Sequence, residues 1–308
     1  MKIADNLPMI LYRWLLIFPV LSLLVSGCSD PRTKEVLLEF KQLPNEKYVY
    51  HVADSVEWEF VDVDQKRYTF QHLQDQKSEM VVESLDSALV RSLTMTFVIT
   101  QDTVLNAPDF VLKRRKGRSS VGREFGFVLR MRKNGEIVKV VTEDPKTAFE
   151  FDRSYKPSQP VFPDHTIASG YAWTQNFPVE VPHGNPTVAT TEYRLNSFTR
   201  VDQFDCAVID FKGALEYEDA YKPPADKPAE FMLRKYRSRV TSEGQFFFAY
   251  HDGFMVKKIN LITSTVFTTT YKKDNTEQQS QSVFKDYELI TLTAIHRAGQ
   301  DSITSNIP

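Results

Sequence analysis

Apolar side chains recur at every second position along much of this chain, and that period limits the folds open to it. In the run VEWEF, Val56, Trp58 and Phe60 share one side of an extended chain, while Glu57 and Glu59 share the other. The runs LTMTFVIT, FGFVLRMR, DCAVIDF and SVFKDYELITLT repeat the alternation. A strand of this kind packs one face on a core and leaves the other in water. The pattern therefore predicts a mainly β protein with a half-buried antiparallel sheet.

Two turn sequences join alternating runs. KNGE, residues 133–136, contains Asn-Gly, and HDGF, residues 251–254, contains Asp-Gly. These pairs are strong hairpin signals, because the glycine accepts a positive φ. The segments around the two turns also align, with Gly135 on Gly253. The alignment favours two related halves, about residues 35–155 and 164–297, although any two hairpins with the same turn look alike.

Few segments favour a helix. Residues 84–90 are one candidate, and residues 146–153 are another, since they follow the helix-starting pair Asp144-Pro145. The proline-bearing run KPSQPVFP, residues 156–163, is typical of a linker or crossover between the two halves.

The first 28 residues indicate export and lipidation. Lys2 and Arg13 precede the apolar run WLLIFPVLSLLV, which is too short to span a bilayer comfortably and has the length of a signal-peptide core. The run ends in Val-Ser-Gly-Cys, which matches the bacterial lipobox and predicts lipidation of Cys28, followed by removal of residues 1–27. An ordinary secretory signal, or a single anchor helix with an incidental cysteine, is the alternative.

Lipidation sets the expected location and domain plan. Two or three acyl chains anchor a protein stably, so the expected partner is a membrane. An Asp directly after the lipidated cysteine favours retention in the inner membrane, but here that position is Ser29 and the acid comes one place later, at Asp30. The sequence therefore favours the outer membrane, facing the periplasm. Residues 28–34 are then a tether, residues 35–297 the β domain and residues 298–308 a flexible tail.

The order of these features resembles a known group. It comprises the lipobox, a first strand EVLLEFKQLPNEKYVYHV, a midpoint IASGYAWTQNFPVEVP, then YRLNSFTRVDQFDCAVIDFKG and the hairpin GQFFFAYHDGFMVKKI. Together they resemble bacterial lipoproteins with a LolA-like or LppX-like fold, over most of residues 35–295. The resemblance implies an incomplete barrel, made of one strongly curved antiparallel sheet with short helices near its concave side. The family midpoint usually reads Gly-Asp-x-Trp, and Gly170-Tyr171-Ala172-Trp173 lacks that Asp.

Composition and motifs argue against several functions. The net charge of -2 gives no sign of a nucleic-acid partner. The six histidines form no HExxH or other close pair, and the chain lacks CxxC, GxSxG, P-loop and GxGxxG motifs, so we expect no metal, no cofactor and no catalytic residues. We expect Cys206, in FDCAVIDF, to be a small buried residue rather than a catalytic thiol.

One basic cluster stands out in VLKRRKGRSSVGR. Its charges repel one another and need water or an anionic partner, so they are either a solvated loop or a site for lipid phosphates at a bilayer surface. The cluster consists of Lys113, Arg114, Arg115, Lys116 and Arg118.

Two functions are open to such a chain. In the first, the concave face binds a lipid or an acyl chain through apolar residues, or the same residues are simply core. In the second, the protein is a non-enzymatic envelope protein that docks a protein partner. The candidate lining residues are Trp58, Phe70, Phe127, Leu129, Phe247 and Ala249.

Overall fold

A computed structural model describes residues 34–62, 64–116, 120–142, 159–181, 183–223, 231–297 and 303–304. The chain divides into two compact units, Met1–Glu35 and Val36–Pro308, and the second contains the large sheet.

Strands dominate the described residues, with one short helix. The elements are β1 (Glu35–Val36), β2 (Lys47–Val61), β3 (Arg67–Leu85), β4 (Arg91–Leu105), α1 (Asp109–Arg115), β5 (Glu124–Met131), β6 (Ile137–Val141), β7 (Ile167–Ala168), β8 (Ala172–Val179), β9 (Thr187–Val201), β10 (Phe204–Tyr221), β11 (Phe231–Ala249), β12 (Phe254–Lys272), β13 (Glu277–His296) and β14 (Ile303–Thr304).

Eleven strands form one curved antiparallel sheet in the order β6-β5-β4-β3-β2-β13-β12-β11-β10-β9-β8. Two meanders meet where β13 pairs with β2, and β14 adds to β13. The sheet does not close into a barrel, and β6 and β8 are its two edges. The predicted fold class, a mainly β incomplete barrel, is therefore confirmed.

Both predicted hairpins are present. Gly135 (φ 91°) lies in the turn between β5 and β6, and Gly253 (φ 78°) lies in the turn between β11 and β12. The predicted helix at residues 84–90 is wrong, because β3 runs to Leu85 and β4 starts at Arg91. Asp86 Oδ1 accepts the backbone N–H groups of Ala88 and Val90, which folds this stretch into a tight turn instead. The other predicted helix, residues 146–153, lies outside the described residues.

A crossing segment, residues 36–46, ties the two hairpins together. The Phe40 N–H donates to the Lys133 carbonyl (2.6 Å), and the Lys41 N–H donates to the Gly253 carbonyl (3.0 Å). From the middle of the chain, the Phe162 N–H donates to the Asn134 carbonyl (2.7 Å). These bonds hold chain segments across one end of the sheet, which we call the capped end.

The hydrophobic core lies beneath these segments. Leu38 and Phe40 of the crossing segment pack with Phe162 and with side chains from the capped ends of the strands, and all are buried. Rings make up much of this contact, as Phe40 stacks on Phe162 (centroids 5.5 Å apart) and meets Phe248 edge-on (5.0 Å). The core therefore fills the capped end, while the strands continue well beyond it.

We expect Gly253→Ala to destabilise the fold more than Gly170→Ala. Both glycines have positive φ, which costs an alanine roughly 1–2 kcal/mol. A Cβ on Gly253 would also lie 2.5 Å from the Lys41 backbone nitrogen, whereas a Cβ on Gly170 meets no atom within 4 Å. Overlap adds roughly 1–3 kcal/mol. Urea unfolding measures the loss of unfolding free energy in each variant. Equal losses would show that the crossing segment is not in close contact with the turn at Gly253.

Candidate functional site

The strand register extends the core-bearing face of the sheet past the core. Residues directly opposite on antiparallel strands share a face, and positions two apart on one strand share it too. Val52 and Ile290 are paired and buried in the core, so Asp54 and Glu288, the next pair on the same side, belong to the same face. We call this side of the sheet the inner face.

Just beyond the core, the inner face carries a set of polar side chains that we call the polar belt. Asn260 of β12 is opposite Glu288 of β13, which is opposite Asp54 of β2. Lys258 and Asp286 lie two positions from Asn260 and Glu288 on the same side of their strands. Strand pairing therefore brings three carboxyl groups and one ammonium together across β2, β13 and β12. The belt consists of Asp54, Gln76, Lys258, Asn260, Asp286 and Glu288.

The belt is partly exposed and incompletely paired: Gln76, Lys258 and Asn260 are buried, whereas Asp54, Asp286 and Glu288 are only partly buried. Lys258 Nζ lies 3.2 Å from Glu288 Oε1, and the lysine side chain is only 5% exposed. Gln76 Nε2 donates to Asp54 Oδ2 (3.0 Å). Besides Glu288 Oε1, whose contact with Lys258 is an ion pair without hydrogen-bond geometry, three buried oxygens in the belt accept no hydrogen bond: Asp54 Oδ1, Asn260 Oδ1 and Asp286 Oδ1. A buried polar atom without a partner is costly, so this arrangement is unusual for a purely structural region.

Burial also changes the protonation of two belt carboxyls. Loss of solvent, together with the charges of Glu288 and Asp286, raises the pKa of Asp54 to about 8. Loss of solvent and the Glu288 charge raise the pKa of Asp286 to about 6. Near neutral pH Asp54 therefore holds its proton, which lowers the negative charge that the sheet must bury.

A second polar group continues the belt onto β3 and β4. Asp102 has a nearly buried side chain that pairs with Arg115, the last residue of α1, and lies 2.6 Å from His72 Nε2. Burial alone would raise the pKa of Asp102, but hydrogen bonds from Arg115 and His72 lower it to about 2. This ionised carboxylate holds α1 over the inner face, where Phe110 meets Tyr68 edge-on (5.4 Å).

Farther from the core, the inner face becomes aromatic, and we call this surface the aromatic wall. Trp58 stacks on Phe70 (5.4 Å) and meets Phe284 edge-on (4.2 Å). One row farther out, Phe60 stacks on Tyr68 (6.2 Å). The wall side chains are only half-buried, in contrast to the capped end. The wall consists of Trp58, Phe60, Tyr68, Phe70 and Phe284.

The capped end itself has little free space. Its cavity, lined by Phe40, Met95 and Leu129 among others, measures about 60 Å³. Sites for small organic ligands generally measure about 300–1,000 Å³. A cleft of about 380 Å³ lies between the edge strands, beside Ile137 and Phe177. The core of the capped end is therefore too full for a lipid-sized ligand.

The predicted lining residues divide into three groups. Trp58 and Phe70 are central to the aromatic wall. Leu129 and Ala249 are buried in the core of the capped end, and Phe127 packs against that core. Phe247 is likewise partly buried and packs against that core.

The predicted basic cluster is not a uniform loop. Part of it forms α1, on which Lys113 is exposed, while Arg115 pairs with Asp102. Lys116 is exposed just after the helix. The side chain of Arg114, the whole of Arg118 and the lipidation candidate Cys28 lie outside the described residues.

Other reactive groups have structural surroundings. Cys206 is fully buried, and loss of solvent raises the pKa of its thiol to about 12, which makes it unreactive. The described ranges contain no cluster of three His, Cys, Asp or Glu side chains that could hold a metal ion. Within those ranges, no helix has the length and hydropathy needed to cross a membrane.

Comparisons with known proteins find likeness only among solved structures. No family model and no curated protein sequence matches the chain. A structure of lipovitellin, determined for its lipid–protein interactions, aligns with a TM-score of 0.42 and 10% identity, over 86% of this chain. This chain spans only 27% of that lipovitellin chain. An exported protein of Bacteroides fragilis with a YmcC-like fold aligns with a TM-score of 0.26 and 9% identity, over 84% of this chain and 99% of its own.

We expect the stability of the protein to fall as the pH rises from about 4 to about 8. The folded state keeps a proton on Asp54 up to about pH 8, whereas an unfolded Asp loses it near pH 4, so folding takes up a proton in this window. Asp54→Asn removes the ionisable group. The variant should therefore unfold at a higher temperature than the unchanged protein near pH 8.5, and the difference should shrink toward pH 5.

Thermal unfolding followed by circular dichroism across this pH range is the measurement. Asp64→Asn, in an exposed turn between β2 and β3, is the matched control and should leave the pH profile unchanged. If the Asp54 and Asp64 variants have identical profiles, the Asp54 carboxyl is not a buried, protonated group.

Proposed function

We propose that this protein binds a ligand with an apolar chain on the inner face of its sheet. The observation that carries the proposal is the aromatic wall: one face of continuous strands is a filled core at the capped end and half-exposed aromatic surface beyond it. A large exposed apolar surface is unfavourable in water and commonly marks a binding site. The α1 helix borders this surface, which gives the ligand a partly enclosed groove.

The energetics fit a lipid-sized ligand. Burial of apolar surface contributes about 25 cal/mol per Å², so a chain that removes about 200 Å² from water gains about 5 kcal/mol before the cost of immobilising it. The rings of the wall are stacked on each other, so little side-chain entropy remains to be lost when a chain is laid across them.

A calorimetric titration tests this binding. With the full chain held in amphipol, 1-octanol is the probe, since it has an apolar chain and no charge. We expect Phe70→Ala and Phe284→Ala to weaken binding about ten-fold each, the effect of losing roughly 1.4 kcal/mol of apolar contact. Phe267→Ala, on the opposite face of β12 and 48% exposed, is the matched control. Equal effects of all three variants, or no binding of octanol at all, would contradict the proposal.

The proposal includes anchorage at the outer membrane, with the ligand-binding domain in the periplasm. It is supported by the lipobox around Cys28 and the apolar run before it. A binding domain anchored in this way meets lipids or lipid-bearing proteins at the membrane surface.

Cys28→Ser tests the lipid anchor. We expect the variant to lose labelling by radioactive palmitate and to keep residues 1–27, because cleavage before residue 28 follows lipidation of its thiol. Ser29→Ala, beside it, serves as the control and should keep the label and lose residues 1–27. Palmitate labelling that survives Cys28→Ser would exclude a lipid anchor at this residue.

A further inference from the structure

We propose that the polar belt binds the primary ammonium head group of an amphiphile whose chain lies on the aromatic wall. This inference rests on the proposed function and names the chemical class of the ligand. It follows from what the belt lacks: the buried Oδ1 atoms of Asn260 and Asp286 accept no hydrogen bond, and a ligand that satisfies them must bring hydrogen-bond donors.

Asn260 gives the clearest sign that the belt is built around something. The residue is only 1% exposed, and its Oδ1 accepts no hydrogen bond. It faces Glu288 directly across the strand pair, so the oxygen lies beside the carboxyl groups and not in the apolar core. An orphaned amide oxygen costs about 1–3 kcal/mol, a cost that a bound donor removes.

The balance of charges favours a cation. The groups that face the belt are Asp54 from β2, Lys258 from β12, and Asp286 and Glu288 from β13. Next to them β3 contributes the neutral Gln74 and Gln76, and beyond Gln74 the charge of Asp102 is paired with Arg115, beside His72. Three carboxyls thus surround one ammonium. An anionic head group would add to this excess of carboxyl groups, whereas a second ammonium reduces it.

The geometry of donors favours a primary ammonium over other cations. A primary ammonium presents three N–H donors from one compact centre, so one head group can donate to more than one of the oxygens. A quaternary ammonium carries the same charge without donors and would leave the oxygens unsatisfied.

The belt and the wall are correctly spaced for one ligand. On β13, Asp286 and Phe284 are two positions apart on the inner face, which corresponds to roughly 7 Å along the strand. On β2, Asp54 is followed on that face by Val56 and then by Trp58. A head group at Asp286 therefore places the first carbons of its chain against Phe284 and Trp58.

Binding should release a proton. Asp54 is protonated near neutral pH, and an ammonium beside it favours the carboxylate, so the proton passes from Asp54 to the solvent as the ligand binds. Calorimetry in buffers of different ionisation enthalpy counts that proton. Asp54→Asn, which has no proton to lose, should abolish the release.

Three probes with one chain length test the head group. The full chain in amphipol is titrated with octylammonium, octyltrimethylammonium and 1-octanol. We expect octylammonium to bind at least about ten-fold more tightly than either of the others. Asp286→Asn, which keeps the shape of the side chain, should remove most of that preference. Glu57→Gln, exposed on the opposite side of β2, is the control and should change neither.

The outcomes separate the two proposals. If no probe binds, the proposed function fails and this inference fails with it. If octanol binds as tightly as octylammonium, apolar binding stands and the ammonium site is overturned. If the two cations bind equally, the belt attracts charge without recognising donors, which also overturns it. Unfolding midpoints of the variants, measured in parallel, confirm that each is folded.

Discussion

The structure depends on a short segment held between two glycine turns. Residues 36–46 cross one end of the sheet, and their backbone bonds reach the β5–β6 turn at Lys133 and the β11–β12 turn at Gly253. The two turns belong to different meanders, whose strands otherwise meet at the β2–β13 pair. The segment therefore sets the curvature of the sheet at this end, and the core forms in the space that it encloses.

That constraint divides the inner face into three zones with different chemistry. At the capped end, side chains are buried and the cavity is small. Next comes the polar belt, whose charges are shielded from water without being fully paired. The aromatic wall lies outermost and half-exposed. This order along one strand, apolar then polar then apolar, fits an amphiphilic ligand better than a simple hydrocarbon. Under the proposed function, the strand segments beyond the core would serve in binding.

Much of the architecture could be predicted from the sequence. Alternation gave the strands, and Asn-Gly and Asp-Gly gave two hairpins with their glycines at positive φ. Asp86, however, caps a tight turn where a helix was expected, because a short apolar run does not distinguish the two. The belt was missed although its signal is legible: Lys258 and Asn260 interrupt the alternation that runs from Phe254, and Asp286 interrupts the run between Phe284 and Ile290. Only pairing across strands, which depends on distant segments, shows that these interruptions coincide.

The unequal support along the strands has a dynamic consequence. Near the crossing segment, each backbone amide is protected by the packed core as well as by its ladder bond, whereas toward Lys272 and Glu277 only the ladder protects it. Amide hydrogens of β2, β12 and β13 should thus exchange slowly at the capped end and quickly at the other. A sheet with this gradient can splay its outer half by local opening while its clamped half stays folded, which under the proposed function would let one scaffold accept chains of different lengths.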